Sequence, residues 1–474
     1  MLQRAHEFDL GGTWRFRTDP ENLGEHFEQQ LDIPWQFDAR WMRISYADGD
    51  WAEIHVPSCW QVDGYNYNGV AWYRKDFARP DLDAMHGLDG QRFWLRFEGV
   101  DYIGDVWINE HYLGSHEGYF AAFEYEVTPY LRSGGNLLAV RVHSPNDIST
   151  KEAQTGQLKG LIKGALQRWD ANNPQINPGG IWNDVKLIAT GPGAVTGVQI
   201  HTQLAHLPSQ PDAPVKGSAG VEVHLAGFPA AVGPQAAQLH VSVAPQGFAG
   251  PRAELVLPIT ALQRPSVWQV SLPLDEARLW NTWDIGTPHL YKLDVTLEVA
   301  GVASDRITQR FGFRHIERRD GWETWLNGHR LFQRGANYLS DQLLSTMTDE
   351  RYAMDVELLK RANLNTVHPF CVVEKQAFYD LCDQAGILVY QDFPMWLMMN
   401  NSSDLVRRAN AQLRELIGQF GHHPSIGIWN MGSQPSVANF EKLGAALAQT
   451  ARNLDPTRII HQANALVDLG TQEE

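Results

Sequence analysis

The run Phe378-Tyr379-Asp380-Leu381-Cys382-Asp383-Gln384-Ala385-Gly386-Ile387-Leu388-Val389-Tyr390-Gln391-Asp392-Phe393 changes its periodicity in the middle. Up to Ala385, the side chains of Phe378, Leu381, Cys382 and Ala385 fall on one face of a helix over 374–385. Gly386 predicts its end, because a left-handed C-cap costs glycine no Cβ clash. Residues 387–393 then read as an apolar strand, the kind that is buried on both faces of a parallel sheet. The same alternation extends in both directions. Strands are expected at 331–338, 364–369, 387–393, 425–432 and 458–464. Other helices are expected after Thr348, a capping hydroxyl followed by Asp349 and Glu350, and over 404–420 and 436–453. Residues 314–474 are therefore read as a parallel sheet covered by helices.

Upstream the pattern is all β. Residues 194–313 hold roughly seven short alternating strands, such as Val221-Glu222-Val223-His224-Leu225 and Tyr291-Lys292-Leu293-Asp294-Val295. Loops rich in Pro, Ala and Gly separate them, which suits an immunoglobulin-like sandwich. Residues 1–193 read as a second sandwich of antiparallel sheets, with strands such as Asn136-Leu137-Leu138-Ala139-Val140-Arg141-Val142. A long polar stretch at 150–178, with a short helix expected at 158–169, interrupts it. An insertion of that length in a compact domain is functional or mobile.

Composition removes several classes. The chain has 474 residues and a net charge of −16, which disfavours nucleic acid, since phosphate binding needs clustered Lys and Arg. No apolar run reaches the roughly 18 residues of a membrane span, and the start lacks the apolar core of a signal peptide. Cys59, Cys371 and Cys382 show no metal-ligand spacing and read as reduced thiols of a cytoplasmic protein. No nucleophile elbow and no dinucleotide-binding glycine motif follows a strand. No metal or cofactor is called for.

Several runs, in order, resemble glycoside hydrolase family 2, which includes β-galactosidases, β-glucuronidases and β-mannosidases. They are Gly99-Val100-Asp101-Tyr102, Val106-Trp107-Ile108-Asn109, Gly179-Gly180-Ile181-Trp182-Asn183-Asp184-Val185, Phe311-Gly312-Phe313-Arg314, Leu326-Asn327-Gly328, Gly335-Ala336-Asn337 and His423-Pro424-Ser425-Ile426. Gly386–Phe393 leans toward the mannosidase branch. The resemblance implies a multidomain β plus α/β fold: a jelly-roll sugar-binding domain at 1–193, an immunoglobulin-like domain at 194–313 and a TIM-type barrel at 314–474. It also implies a retaining β-glycosidase site, with two carboxyl groups about 5 Å apart at the carboxyl ends of the barrel strands.

At strand four the family's Asn-Glu acid/base pair falls on Ser433 and Gln434. An amide cannot transfer a proton in the relevant pH range, so hydrolysis is expected to be impaired. Where the family commonly carries Arg after Asn-x-Val, this chain has His368. From Arg314 onward there are 161 residues, against about 250 for a whole barrel. Five strands are expected, without the segment that would supply the nucleophile. The resemblance nominates Asn337, His368, Asp392, Trp396 and Ser433 as carbohydrate contacts, Asp392 for a sugar hydroxyl and Trp396 for stacking. Asp341 and Glu374 are expected to face solvent. The leading reading is a protein that acts on β-glycosides or descends from one that did. The alternative is a non-catalytic carbohydrate-binding or assembly protein. An open fifth strand near Ile459 is expected to be covered by a second copy, a partner chain or the terminal residues.

Overall fold

The computed structural model describes residues 3–4, 6–25, 40–80, 90–146, 160–166, 176–228, 236–259, 264–321, 323–396, 402–433 and 440–462. Gln434 lies outside the described residues, as do parts of the helices expected at 158–169 and 436–453. The core of the former is a single 3-10 turn, Gly164–Leu166.

The first sandwich sets a six-stranded antiparallel sheet against a four-stranded one. Along Gly135–Ser144 the alternation is read out directly. Leu138, Val140 and Val142 enter the core between the sheets, where they meet Trp14, Phe97 and Leu187. Ala139 faces the other way, under a second layer that includes Trp41, Trp51, Trp72 and Trp107. Seven strands between Ala194 and Phe311 form the second sandwich, whose two sheets share one apolar core. One strand of its five-stranded sheet comes from elsewhere. Gln3–Arg4 pairs with Thr308 and Ile307, and the Arg4 guanidinium donates to the Val195 carbonyl at 2.8 Å.

A three-stranded antiparallel meander over 316–331 follows. Its Asn327-Gly328 turn has φ of 53° and 83°, the positive values that a two-residue hairpin requires. The strand expected at 331–338 is therefore divided: Leu331 closes the meander and the parallel sheet starts at Gly335. That sheet runs in order through β1 (Gly335–Tyr338), β2 (Thr366–Pro369), β3 (Leu388–Asp392), β4 (Ile426–Asn430) and β5 (Ile459–His461). Its helices are α1 (Asp349–Arg361), α2 (Gln376–Ala385), α3 (Ser403–Phe420) and α4 (Phe440–Leu454). Thr348 caps α1 by accepting from the Arg351 amide, and Gly386 ends α2 at φ 69°.

Contacts across the modules position the sheet. On α3, Arg408 grips Glu117 of the first sandwich with Nε 2.8 and 2.9 Å from its two carboxylate oxygens. Gln412 donates to the Tyr102 hydroxyl at 3.1 Å. Arg314, at the exit of the second sandwich, is buried and donates to the carbonyls of Pro424, Ile426 and Thr457. Among the described residues, no helix is long and apolar enough to cross a membrane.

Candidate functional site

In a parallel sheet the carboxyl ends of all strands share one rim, which is where chemistry collects in such folds. Register brings Asn337 of β1 level with His368 of β2, and Asp392 of β3 level with Asn430 of β4. His368 stands between two neighbours. Its Nδ1 lies 2.9 Å from Asn337 Oδ1 and its Nε2 lies 2.8 Å from Asp392 Oδ1.

Asp392 is the hub. Oδ1 also accepts from Asn430 Nδ2 at 2.6 Å, while Oδ2 accepts from the Ser433 hydroxyl at 2.8 Å and the Cys371 amide at 2.9 Å. An ionised carboxylate offers about four lone-pair positions. Here protein donors fill them, and the residue has 0 % exposure. Asp392, expected to meet a sugar hydroxyl, instead fixes the orientation of His368, Asn430 and Ser433. His368, Asn337 and His461 line the carboxyl end of a cavity of about 740 Å³ that runs along the inner face of the sheet, past Tyr390 and Ile428, to Gly335 and Thr366 at the amino ends of β1 and β2 and to Glu323 and Arg330 of the meander. The Tyr390 hydroxyl lies 2.6 Å from His461 Nδ1. Burial, with Arg318 nearby, pushes His461 down to about 3, so its imidazole is neutral near pH 7.

The other nominees divide. Ser433 reaches Asp392, and its amide donates to the Met395 carbonyl. Trp396 is buried, packed edge-on against Phe370 in a small cluster with Ala165 and Cys371. Asp341 serves its own loop, accepting from the Leu343 amide at 2.9 Å. Glu374 does not face solvent. It is 2 % exposed and accepts from the Ser340 and Tyr352 hydroxyls, and burial pushes it up to about 7. Asp380, Asp383 and His423 bring ligand atoms within 4.8 Å of one another. Those atoms are already engaged: Asp383 Oδ2 lies 2.6 Å from His423 Nδ1, and Asp380 pairs with Arg310 at 2.8 Å.

Asn430, Cys371, Tyr390 and His461 were not singled out from sequence. For Tyr390 and Asn430 a signal existed, since Tyr390 alternates with Asp392 and Asn430 ends the adjacent strand. Cys371 reaches Asp392 Oδ2 with its backbone amide and, at 3.5 Å, with its thiol, and its φ of 52° is a backbone feature that no side-chain pattern encodes.

Three family models match in chain order: "Glycosyl hydrolases family 2, sugar binding domain" over residues 8–191, "Glycosyl hydrolases family 2" over 231–314, and "Glycosyl hydrolases family 2, TIM barrel domain" over 317–472. The chain is 25 % identical to a β-galactosidase of Photobacterium profundum, covering 96 % of this chain and 42 % of that protein. It is 27 % identical to the β-galactosidase large subunit of Latilactobacillus sakei, covering 97 % of this chain and 72 % of that one. Its fold is similar to that of a β-D-mannosidase from Dictyoglomus thermophilum, with a TM-score of 0.75 at 20 % identity, over 96 % of this chain and 57 % of the other. The chain spans about half the length, or less, of the first curated relatives it matches. With a jelly-roll domain, an immunoglobulin-like domain and part of a TIM barrel in that family's order, the chain belongs to glycosyl hydrolase family 2.

Proposed function

We propose that this protein binds β-linked sugars at the carboxyl rim of its parallel sheet, with hydrolysis impaired by Gln434. The carrying observation is His368, engaged at both ring nitrogens and lining, with Asn337, a cavity larger than one sugar ring needs. In this reading the Asn337 amide nitrogen meets a sugar hydroxyl, the His368 ring presents its face to the sugar while both its nitrogens stay bonded to protein, Asp392 and Ser433 hold them in place, and Trp396 walls the rim. In the sequence Gln434 follows Ser433 directly and stands where the family carries its acid/base Glu. An amide there retains shape and loses proton transfer. The relatives' names support β-galactosides, β-glucuronides or β-mannosides as the ligand class.

The reading divides the chain at 193/194 and at 313/314. It places a second copy or partner chain along β5, whose outer edge has no strand partner among the described residues. The buried, unbridged cysteines support a reducing compartment, the cytoplasm.

The test is a panel of p-nitrophenyl β-glycosides and calorimetric titration with the matching aldonolactones, using the parent chain beside Gln434→Glu. Lactone binding without turnover in the parent is expected. Turnover by the parent overturns the impairment, and absence of lactone binding in both proteins overturns the sugar site.

A further inference from the structure

Residues 160–166 leave the first sandwich and lie against the rim of the parallel sheet. Their root is Lys163, which is fully buried. Its Nζ lies 2.7 Å from Asp101 Oδ1 and donates to Asn177 Oδ1 and the Pro178 carbonyl, each at 2.7 Å. One residue earlier, the Ile162 amide donates to the Tyr102 hydroxyl at 3.0 Å. At the tip, the Ala165 amide donates to the Cys371 carbonyl at 2.9 Å. Cys371 in turn donates its amide to Asp392 Oδ2 at 2.9 Å. The same strap walls a cavity of about 260 Å³ through Ala165 and Leu166, opposite Ser340, Asp341 and Gln342.

A buried ion pair contributes little net stability compared with apolar residues of the same volume. What it supplies is a defined geometry. Here that geometry ends on Cys371, whose φ of 52° a non-glycine residue keeps only when its surroundings over-determine it. Ala165 from one module and Asp392 from the other grip Cys371 at its carbonyl and its amide.

We propose that Lys163 is a positioning residue for the Asp392 hub: anchored by Asp101, it holds the strap that holds Cys371, and Cys371 sets the carboxylate to which His368 is bonded. Its functional meaning rests on the sugar-site reading above, but its test does not.

The experiment uses the full chain carrying Lys163→Met, and a second variant, Asp101→Asn with Lys163→Met, which leaves no lone charge in the interior. Imidazole ¹⁵N resonances report the His368–Asp392 contact, and iodoacetamide labelling with peptide mass analysis reports each thiol. The expected result is a shifted His368 ring signal, with Cys371 labelled at least about 10-fold faster by local opening while Cys382 stays protected. If the single variant also exposes Cys382, the double variant decides. A His368 signal at its parent position in a variant that keeps Cys382 protected overturns the proposal. Failure of the parent chain to bind any lactone removes the sugar reading and leaves this result standing.

Discussion

Asn430 Nδ2 lies 2.6 Å from Asp392 Oδ1, and neither residue has any exposed surface. The same amide nitrogen reaches the Gly432 carbonyl at 2.8 Å, so one side chain ties the end of β4 to the hub on β3. Asn430→Ala is expected to cost about 1–3 kcal/mol, because it leaves a buried acceptor short of a donor. Urea denaturation measures the cost. Lactone affinity should fall with it, as Asp392, the partner of His368, loses one of the donors that hold it.

Stability should depend on pH through Glu374. Burial raises its carboxyl from 4.5 to about 7, with Asp355 adding repulsion, so the native chain keeps a proton that the unfolded chain has released. Stability contributed this way is complete below about pH 4.5 and is lost as pH rises through 7. Asp101, raised to about 6, adds a parallel loss that is over sooner. Glu374→Gln should therefore flatten the decline, most visibly between pH 6 and 7, in denaturation midpoints taken across the range.

Arg314→Lys should destabilise the junction between the second sandwich and the barrel region by about 2 kcal/mol, since an ammonium cannot reach three separate carbonyls from the same stem. The three acceptors lie before β4, on β4 and before β5. Hydrogen exchange should show the loss first in the amides of β4 and β5.

Gly164→Ala tests the strap without altering its charge. Gly164 has φ 53°, and an added Cβ would collide with the Cys371 carbonyl. The strap is expected to lift, which faster limited proteolysis near residue 164 would register, while the sandwich cores stay intact.

Much of the third module was legible in its residues. Thr348 caps a helix, Gly386 ends one, and five apolar runs mark five parallel strands. The expected strand over 331–338 is divided because Leu331 pairs with the meander and Gly335 with β2, a break set by tertiary pairing that the residues between them do not mark. At the site, Asn337, His368, Asp392 and Ser433 are nominated by the family resemblance, and the structure brings them together around Asp392. That Asp392 would be saturated by protein donors was not legible, because the Cys371 amide carries no side-chain signature. Lys163 was hidden for a related reason: its importance comes from Asp101 and Cys371, both far away in the chain. Burial of Glu374 has no sign in the sequence, because a loop carboxylate is ordinarily solvated, whereas here the Ser340 and Tyr352 hydroxyls replace the water.

Gln3–Arg4 closes an edge of the second sandwich by pairing with residues 307 and 308, some three hundred positions later. During synthesis at roughly 5–20 residues per second, that edge stays unmade for about 15–60 s after the N-terminus emerges. The nascent segment must wait, uncommitted, while the first sandwich assembles behind it.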